Sequence, residues 1–316
     1  MLPSSDVPDP IQPHKESAML YDYVALPDRP PLRWPDGARV AMIFTINIEY
    51  WEITRDSEEP LYPGGPATIP HAIPGNVPDY ANWTWREYGQ RVGVWRIIDV
   101  FDKAGVPATC TMNALTGIER RRIIDAVNER GWEILAHNYA QNDVLTYYAY
   151  QPDKEREIIQ RTLDVYADAV GRPARGWLSS SLRSTHETPH ILKDLGLLFQ
   201  ADYLNDDQPY LLNTRHGPLV CIPYSNDVND FAVFSRGGRT TSQALDLFKE
   251  QFDQLYLEGA ESGRIMNVGM HPHVMGQAYA IRALREFVDY VKTFDGVWYP
   301  KREEMAEWYL ETVNST

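Results

Sequence analysis

The sequence predicts one α/β domain built on a parallel sheet, barrel-like or doubly wound, because strand-like and helix-like stretches alternate along it. No unit of fixed period repeats, and no second composition regime marks a further domain. A second observation is that three apolar runs end in side chains able to do chemistry. Val40–Phe44 leads into Asn47 and Glu49, Trp132–Ala136 into His137, and Ile265–Met270 into His271 and His273. Buried parallel strands deliver side chains at their C-terminal mouths in this way, and both architectures place their sites there.

The elements follow in order. Residues 1–38 are rich in proline (Pro3, Pro8, Pro10, Pro13, Pro27, Pro30, Pro31, Pro35). They read as an extended arm over the body or over a partner subunit, ahead of a barrel-type domain at 39–316. The first strand runs through Ile48. Residues 52–82 are dense in Pro and Gly, and a loop of that length in a compact domain is functional or interface-forming. Tyr88–Ala104 has helical spacing, with Val94, Ile97, Ile98 and Phe101 on one face. Pro107–Met112 is a strand, Gly117–Arg130 a helix, and Trp132–Ala136 the next strand. Lys154–Val170 is an amphipathic helix and Gly176–Leu178 a strand stub. Thr188–Leu195 is a helix closed by Gly196, a residue suited to a left-handed C-cap. Phe199–Tyr203, Leu219–Pro223 and Ile265–Met270 are strands. Gln243–Gly259 and Ala280–Phe294 are helices, and Val297–Tyr299 is a last short strand.

Composition narrows the function. The 316 residues are 43% hydrophobic, ample for a core, and carry a formal net charge of -14. That charge argues against a nucleic-acid partner. No apolar run is long enough for a membrane span, and residues 1–15 lack the charged and apolar regions of a secretory signal. Cys110 and Cys221 sit far apart in apolar contexts. Two buried free thiols are expected, and with them a cytoplasmic setting.

His271 and His273 in M-H-P-H alternate as strand residues do, so both imidazoles can enter one site. His137 stands at an abrupt apolar-to-polar break, and Glu49 is a carboxylate at another strand end. Arg183, after S-S-S-L, is a candidate clamp for a substrate carboxylate or carbonyl, since guanidinium binds planar anions through two parallel bonds. Trp51, Trp83, Trp85, Tyr139 and Trp177 are candidates for pocket walls. The clusters N-D-D (205–207) and N-D-V-N-D-F (226–231) read as turn chemistry, with Asp227 or Asp230 a candidate to orient a histidine. A metal is not demanded. Glu49, His137 and His273 would be the zinc set if one is bound, but a second imidazole one turn past His137 is missing, because that position is Gln141.

Six ordered blocks then carry a resemblance: I-F-T-I-N-I-E-Y-W-E, E-I-L-A-H-N-Y-A-Q-N-D, G-W-L-S-S-S, A-D-Y-L-N-D-D-Q-P-Y, I-P-Y-S-N-D-V-N-D and V-G-M-H-P-H-V-M-G. Together they resemble the polysaccharide deacetylase (NodB homology) superfamily from about Arg33 to Trp308. With E-Y-G-Q-R-V-G-V-W-R (87–96), they look like the branch holding cofactor-independent allantoinase and cyclic imide hydrolase. The resemblance implies a distorted (β/α)7 barrel in one domain, often as a homo-oligomer. Departures from the metal-dependent pattern matter. Glu49-Tyr50 stands where that pattern has an Asp pair, and Gln141 replaces its second histidine; the family's last-motif histidine falls on His271.

The resemblance thus implies a hydrolase of a non-peptide C–N bond in a small, cyclic, allantoin- or imide-like substrate, with no cofactor. Glu49 would be the base, its pKa raised by burial. His137 and His271 would share the acid and oxyanion roles, and Arg183, Tyr50, Trp51, Tyr139, Trp177 and His273 would contact substrate. Two rivals remain at this point: a zinc-dependent carbohydrate N-deacetylase with an altered ligand set, and a non-catalytic binding barrel.

Overall fold

The computed structural model describes residues 20–60 and 71–314 of the chain. Among the described residues nine strands form one sheet: β1 (Val40–Ile48), β2 (Thr109–Met112), β3 (Glu133–Ala136), β4 (Gly176–Trp177), β5 (Phe199–Gln200), β6 (Tyr210–Thr214), β7 (Gly217–Cys221), β8 (Arg264–Met270) and β9 (Val297–Trp298). Their order is β6-β7-β5-β4-β3-β2-β1-β8, with β9 paired to the start of β1. All neighbours are parallel except the β6–β7 hairpin. Setting β6 and β9 aside, the other strands wind around in chain order, as in a (β/α) barrel. The ends of the sheet, β7 and β8, are not joined by a strand ladder; the segment before β6 bridges the seam. Ile265 N donates to Asp207 O at 2.7 Å, and Gln208 Nε2 to Gly263 O at 2.8 Å.

Around the sheet lie α1 (Tyr80–Tyr88), α2 (Val94–Ala104), α3 (Ala114–Glu119), α4 (Arg121–Glu129), α5 (Pro152–Val170), α6 (Thr188–Asp194), α7 (Thr241–Glu258), α8 (Ile281–Val291) and α9 (Arg302–Asn314). The core has two layers, and the strand period of two sorts residues between them. On β1, Val40, Met42, Phe44, Ile46 and Ile48 pack outward against helices, while Ala41 and Ile43 join an inner cluster with Leu135, Phe199, Val220 and Ile265. The inner face turns polar further along. Thr45 Oγ1 donates to Asn267 Oδ1 at 2.6 Å, and Asn47 Nδ2 to the Tyr224 hydroxyl at 3.1 Å.

Several expectations change. The segment expected to be irregular to residue 82 yields a helix from Tyr80, because Asp79 caps it by accepting from Asn82 N at 3.0 Å. The helix expected over Gly117–Arg130 is two, broken at Arg120, whose guanidinium reaches Glu87 at 2.9 Å. Strand β6 and helix α9 had no clear periodic signal. Helix α9 starts where buried Glu133 of β3 accepts from Arg302 N at 2.9 Å and Glu303 N at 2.8 Å, a cap supplied from far off in the sequence.

The left-handed Gly196 (φ 85) is as expected, and both cysteines are buried and free. The described part of the arm lies on the body: Trp34 is buried against Trp298 and Trp308 at ring distances of 5.5 and 5.0 Å. Residues 1–19, the rest of that arm, lie outside the described residues, as do 61–70 of the long loop.

Candidate active site

Strand register sets the site. Ile48 pairs with Met112 and Met112 with Ala136, so Glu49 and His137 leave β1 and β3 at one level. Ile46 pairs with Met270, which brings His271 out of β8 beside them. By the same alternation Glu49 continues the inner face of Ala41–Asn47, His137 that of Leu135, and His271 and His273 that of Ile265 and Asn267. The four side chains therefore meet at the C-terminal mouth. They line a cavity of about 420 Å³ with Trp51, Arg86, Arg183 and Phe231.

His271 is held from both sides. Its Nε2 lies 3.3 Å from Glu49 Oε1, and its Nδ1 lies 2.7 Å from Asp230 Oδ1. Asp230 Oδ2 also accepts from His271 N at 2.7 Å and Met275 N at 3.0 Å, so one carboxylate fixes both ring and loop. Of the two aspartates that sequence offered for orienting a histidine, Asp230 does so; it is fully buried. Glu49, with its side chain 8% exposed, also accepts from Trp51 Nε1 at 3.1 Å. His137 Nδ1 bonds to the Leu178 carbonyl. A carbonyl only accepts, so Nδ1 carries the hydrogen and Nε2 presents a lone pair. Among the described residues the buried Nε2 atoms of His137 and His273 have no hydrogen-bond partner.

A short π-helical turn, Gly89–Gly93, buttresses this arrangement between α1 and α2. Gln90 Nε2 donates to Glu49 O. A Cβ on Gly93 would sit 1.9 Å from Pro272 O, and one on Gly89 2.5 Å from His273 N. Only glycine lets the helix approach the histidine loop so closely, which gives the E-Y-G-Q-R-V-G block its physical sense. A second π turn, Phe231–Arg236, follows Asp230 directly and brings Phe231 to 5.7 Å from the His271 ring.

Electrostatics reverse one expectation. Burial alone would raise the Glu49 pKa, but the charge and hydrogen bond of His271 outweigh it, and His137 and His273 add to the pull down to about 2. Burial would lower His271, yet Glu49 and Asp230 together raise it to about 10. Burial drives Asp230 upward, with His271 opposing. Burial also lowers His137 and His273: the Glu49 charge opposes it at His137, while the charges of His271 and Arg86 reinforce it at His273. The resting site at neutral pH is a carboxylate–imidazolium pair flanked by two neutral imidazoles. Glu49 is thus not a carboxylate of raised pKa, because its nearest partner is a cation.

Histidine ring nitrogen shifts measured by NMR against pH are expected to show His271 doubly protonated through neutrality and titrating near 10. In Asp230→Asn that midpoint should fall, since one of two stabilising anions is gone. An unmoved midpoint would rule out the carboxylate clamp.

The other predicted contacts divide. Trp51, His273 and Arg183 line the cavity; Tyr50, Tyr139 and Trp177 do not. Trp177 is fully buried in the outer core with its indole on Ser179 Oγ at 2.9 Å. Tyr139 stacks under the Arg161 guanidinium at 3.8 Å and Tyr50 under Arg120 at 5.2 Å, both on outward-facing positions. Sequence reasoning missed Arg86, Arg236, Tyr224 and Asn229. Tyr224 and Asn229 lay within the I-P-Y-S-N-D-V-N-D block, but nothing local marked Arg86, which is 5% exposed.

Zinc, the metal that the family pattern implies, does not fit this donor set. Among the described residues no three His, Cys, Asp or Glu side chains are placed to share one ion. Glu49 is engaged by a protonated histidine and an indole, and Gln141 stands where a second imidazole would be needed.

A family model described as polysaccharide deacetylase matches residues 86–199, a stretch that includes His137. A Schizosaccharomyces pombe protein, named as a polysaccharide deacetylase by inference, is 27% identical over 87% of this chain and 91% of its own length. A Pseudomonas aeruginosa PAO1 structure named in the same way is 28% identical, with a TM-score of 0.79 over 89% of this chain and 94% of that one. The structure of PuuE allantoinase is also 28% identical, with a TM-score of 0.79 over 88% of this chain and 93% of that one. With the winding of the sheet and a site at its strand ends, the chain is thus similar to the polysaccharide deacetylase family over residues 86–199 and to these relatives over most of its length.

Proposed function

We propose that the chain hydrolyses a non-peptide C–N bond in a small cyclic amide, allantoin- or imide-like, without a metal. The observation that carries this reading is the His271 ring clamped between Glu49 at 3.3 Å and Asp230 at 2.7 Å in the cavity, a placement that favours its protonated form. It is an acid matched to a leaving nitrogen, already touching the carboxylate that would act on water. Two further facts support it. The fold is shared with PuuE allantoinase, and a cavity of about 420 Å³ suits a small molecule better than a polymer strand.

In this scheme Glu49 orients a water and takes one of its protons as the oxygen attacks the acyl carbon. His271 gives its Nε2 proton to the nitrogen as the C–N bond breaks, and Glu49 then returns the captured proton to His271 across their 3.3 Å gap. Glu49 takes that proton while His271 is still charged, so it acts as a weak base in the first step, and the return of the proton to His271, the more basic partner, is downhill. His137 Nε2, acceptor-only, receives the second water hydrogen or a ring N–H. His273 and Arg183 are the groups available to stabilise the oxyanion. A polar substrate edge would satisfy the His137 and His273 Nε2 atoms, which have no partner among the described residues.

The test is a panel of five-membered ureides and imides alongside N-acetylated sugars, each assayed with and without a chelator. Turnover of a ring amide that survives chelation is expected. Turnover confined to acetylated sugars, or abolished by chelation and restored by zinc, would overturn the proposal. No turnover of any member would leave a binding barrel instead. Among the described residues no helix is long and apolar enough to cross a membrane. We propose a homo-oligomer, and the experiment that decides it is sedimentation of the purified chain.

A further inference from the structure

One wall of the cavity is built unlike the rest of this acidic molecule. The Arg86 guanidinium lies between two indoles, 4.2 Å from the Trp51 ring and 5.3 Å from that of Trp85. Trp85 contacts Phe231 at 6.4 Å between centroids, and Arg236 lies over Phe231 at 5.4 Å. The two guanidinium–aromatic stacks therefore run side by side, from the indole that holds Glu49 to the ring that touches His271. Arg86 Nη1 also donates to Asn82 O and Oδ1 at 3.3 Å, so stacking and these bonds together fix its guanidinium plane, while stacking on Phe231 orients that of Arg236. The charge balance is lopsided as well. Arg86, Arg183 and Arg236 line the cavity, and among the described residues Glu49 is the one carboxylate that does, although the chain carries a net charge of -14.

We propose that the substrate is itself an acid: a small planar amide bearing a carboxylate, held by Arg86 and Arg236 while its C–N bond lies at Glu49 and His271. This rests on the hydrolase reading and adds its specificity. The fork of a guanidinium matches a carboxylate through paired N–H bonds. The aromatic faces accept a flat ring, and the cationic wall draws anions toward an otherwise repelling surface. The chemistry that must precede this enzyme is then one that leaves a free acid on an amide ring or ureido group.

The proposal is tested by calorimetric titration of the purified chain with succinate and with its neutral isostere succinamide, at low and high NaCl. Succinate is expected to bind at least about tenfold more tightly, with the preference shrinking as salt rises. In Arg236→Gln, at an exposed position, and in Arg86→Gln, each checked by thermal unfolding, the ratio should approach one. Equal or undetectable binding of the two probes, or an unchanged ratio in Arg236→Gln, would overturn it. The two readings fail separately. Anion preference without turnover of any amide sinks the hydrolase and spares the acid site, whereas turnover of neutral rings without anion preference does the reverse.

Discussion

Replacing Glu49 by Gln is expected to lower kcat by roughly 10²- to 10⁴-fold, the range spanned by a positioned acid–base group. At about 1.4 kcal/mol per decade, that is on the order of 3 to 5 kcal/mol of lost barrier reduction. The amide keeps the size of the carboxylate and can still meet the Trp51 indole, but it can neither take a proton from water nor return one to His271. The same variant should change how stability depends on pH. His271 is raised from 6.5 to about 10, so its stabilising contribution is complete below pH 6.5 and is lost as pH climbs toward 10. Glu49 is lowered from 4.5 to about 2, so its contribution is complete above pH 4.5 and is lost as pH drops toward 2. Both shifts describe one ion pair, whose stabilisation is fullest between pH 4.5 and 6.5. Urea unfolding of Glu49→Gln across pH 3 to 9 should show a weakened loss on the acid side. It should also show a reduced loss on the alkaline side, where Asp230 still holds the ring. Wild-type turnover would remove Glu49 from the scheme.

At the opposite end of the sheet, Glu133→Ala should cost on the order of 3 to 5 kcal/mol, the usual penalty for removing one member of a buried charged pair. Glu133 is 1% exposed and Arg302 fully buried. The carboxylate caps α9 through two backbone N–H groups and accepts from Thr109 Oγ1 at 2.8 Å. The Arg302 side chain passes up into the inner polar layer, where it donates to Thr45 Oγ1 at 2.9 Å and Asn267 Oδ1 at 2.6 Å. Deleting the carboxylate leaves a buried cation without its counter-charge and frees the first turn of α9. A drop in Tm on the order of 10 °C is expected by calorimetry, with Thr109→Val, which removes a single hydrogen bond, falling far less. If Glu133→Ala melts within a degree or two of the wild type, the cap is not what holds α9 down.

These two carboxylates show where sequence reasoning succeeds. Glu49 is legible because period-two alternation needs no partner: once Ala41 and Ile43 are assigned inward, Glu49 follows. The same logic finds His137 from Leu135, and His271 and His273 from Ile265. Glu133 sits on that inner face as well, two steps before Leu135. Yet its role depends on a helix that begins at Arg302, and no local pattern announces a cap arriving across the fold. Asp230 was half legible, as one of two aspartates in a turn-like cluster. The choice between them required the histidine loop to be in place.

From the residues alone came the parallel α/β architecture, the strand ends that carry Glu49, His137 and the 271–273 histidines, and the glycine that closes α6. All of these depend on periodicity and on backbone preferences within a few residues. Only the tertiary structure decided that Glu49 is held low rather than raised, that Trp177 and Tyr139 stand outside the cavity, and that Arg86 lies within it. Charge and burial are sums over neighbours from every part of the chain. The pKa of a carboxylate and the company of a guanidinium are set by what the fold brings near them, and no stretch of sequence contains that information by itself.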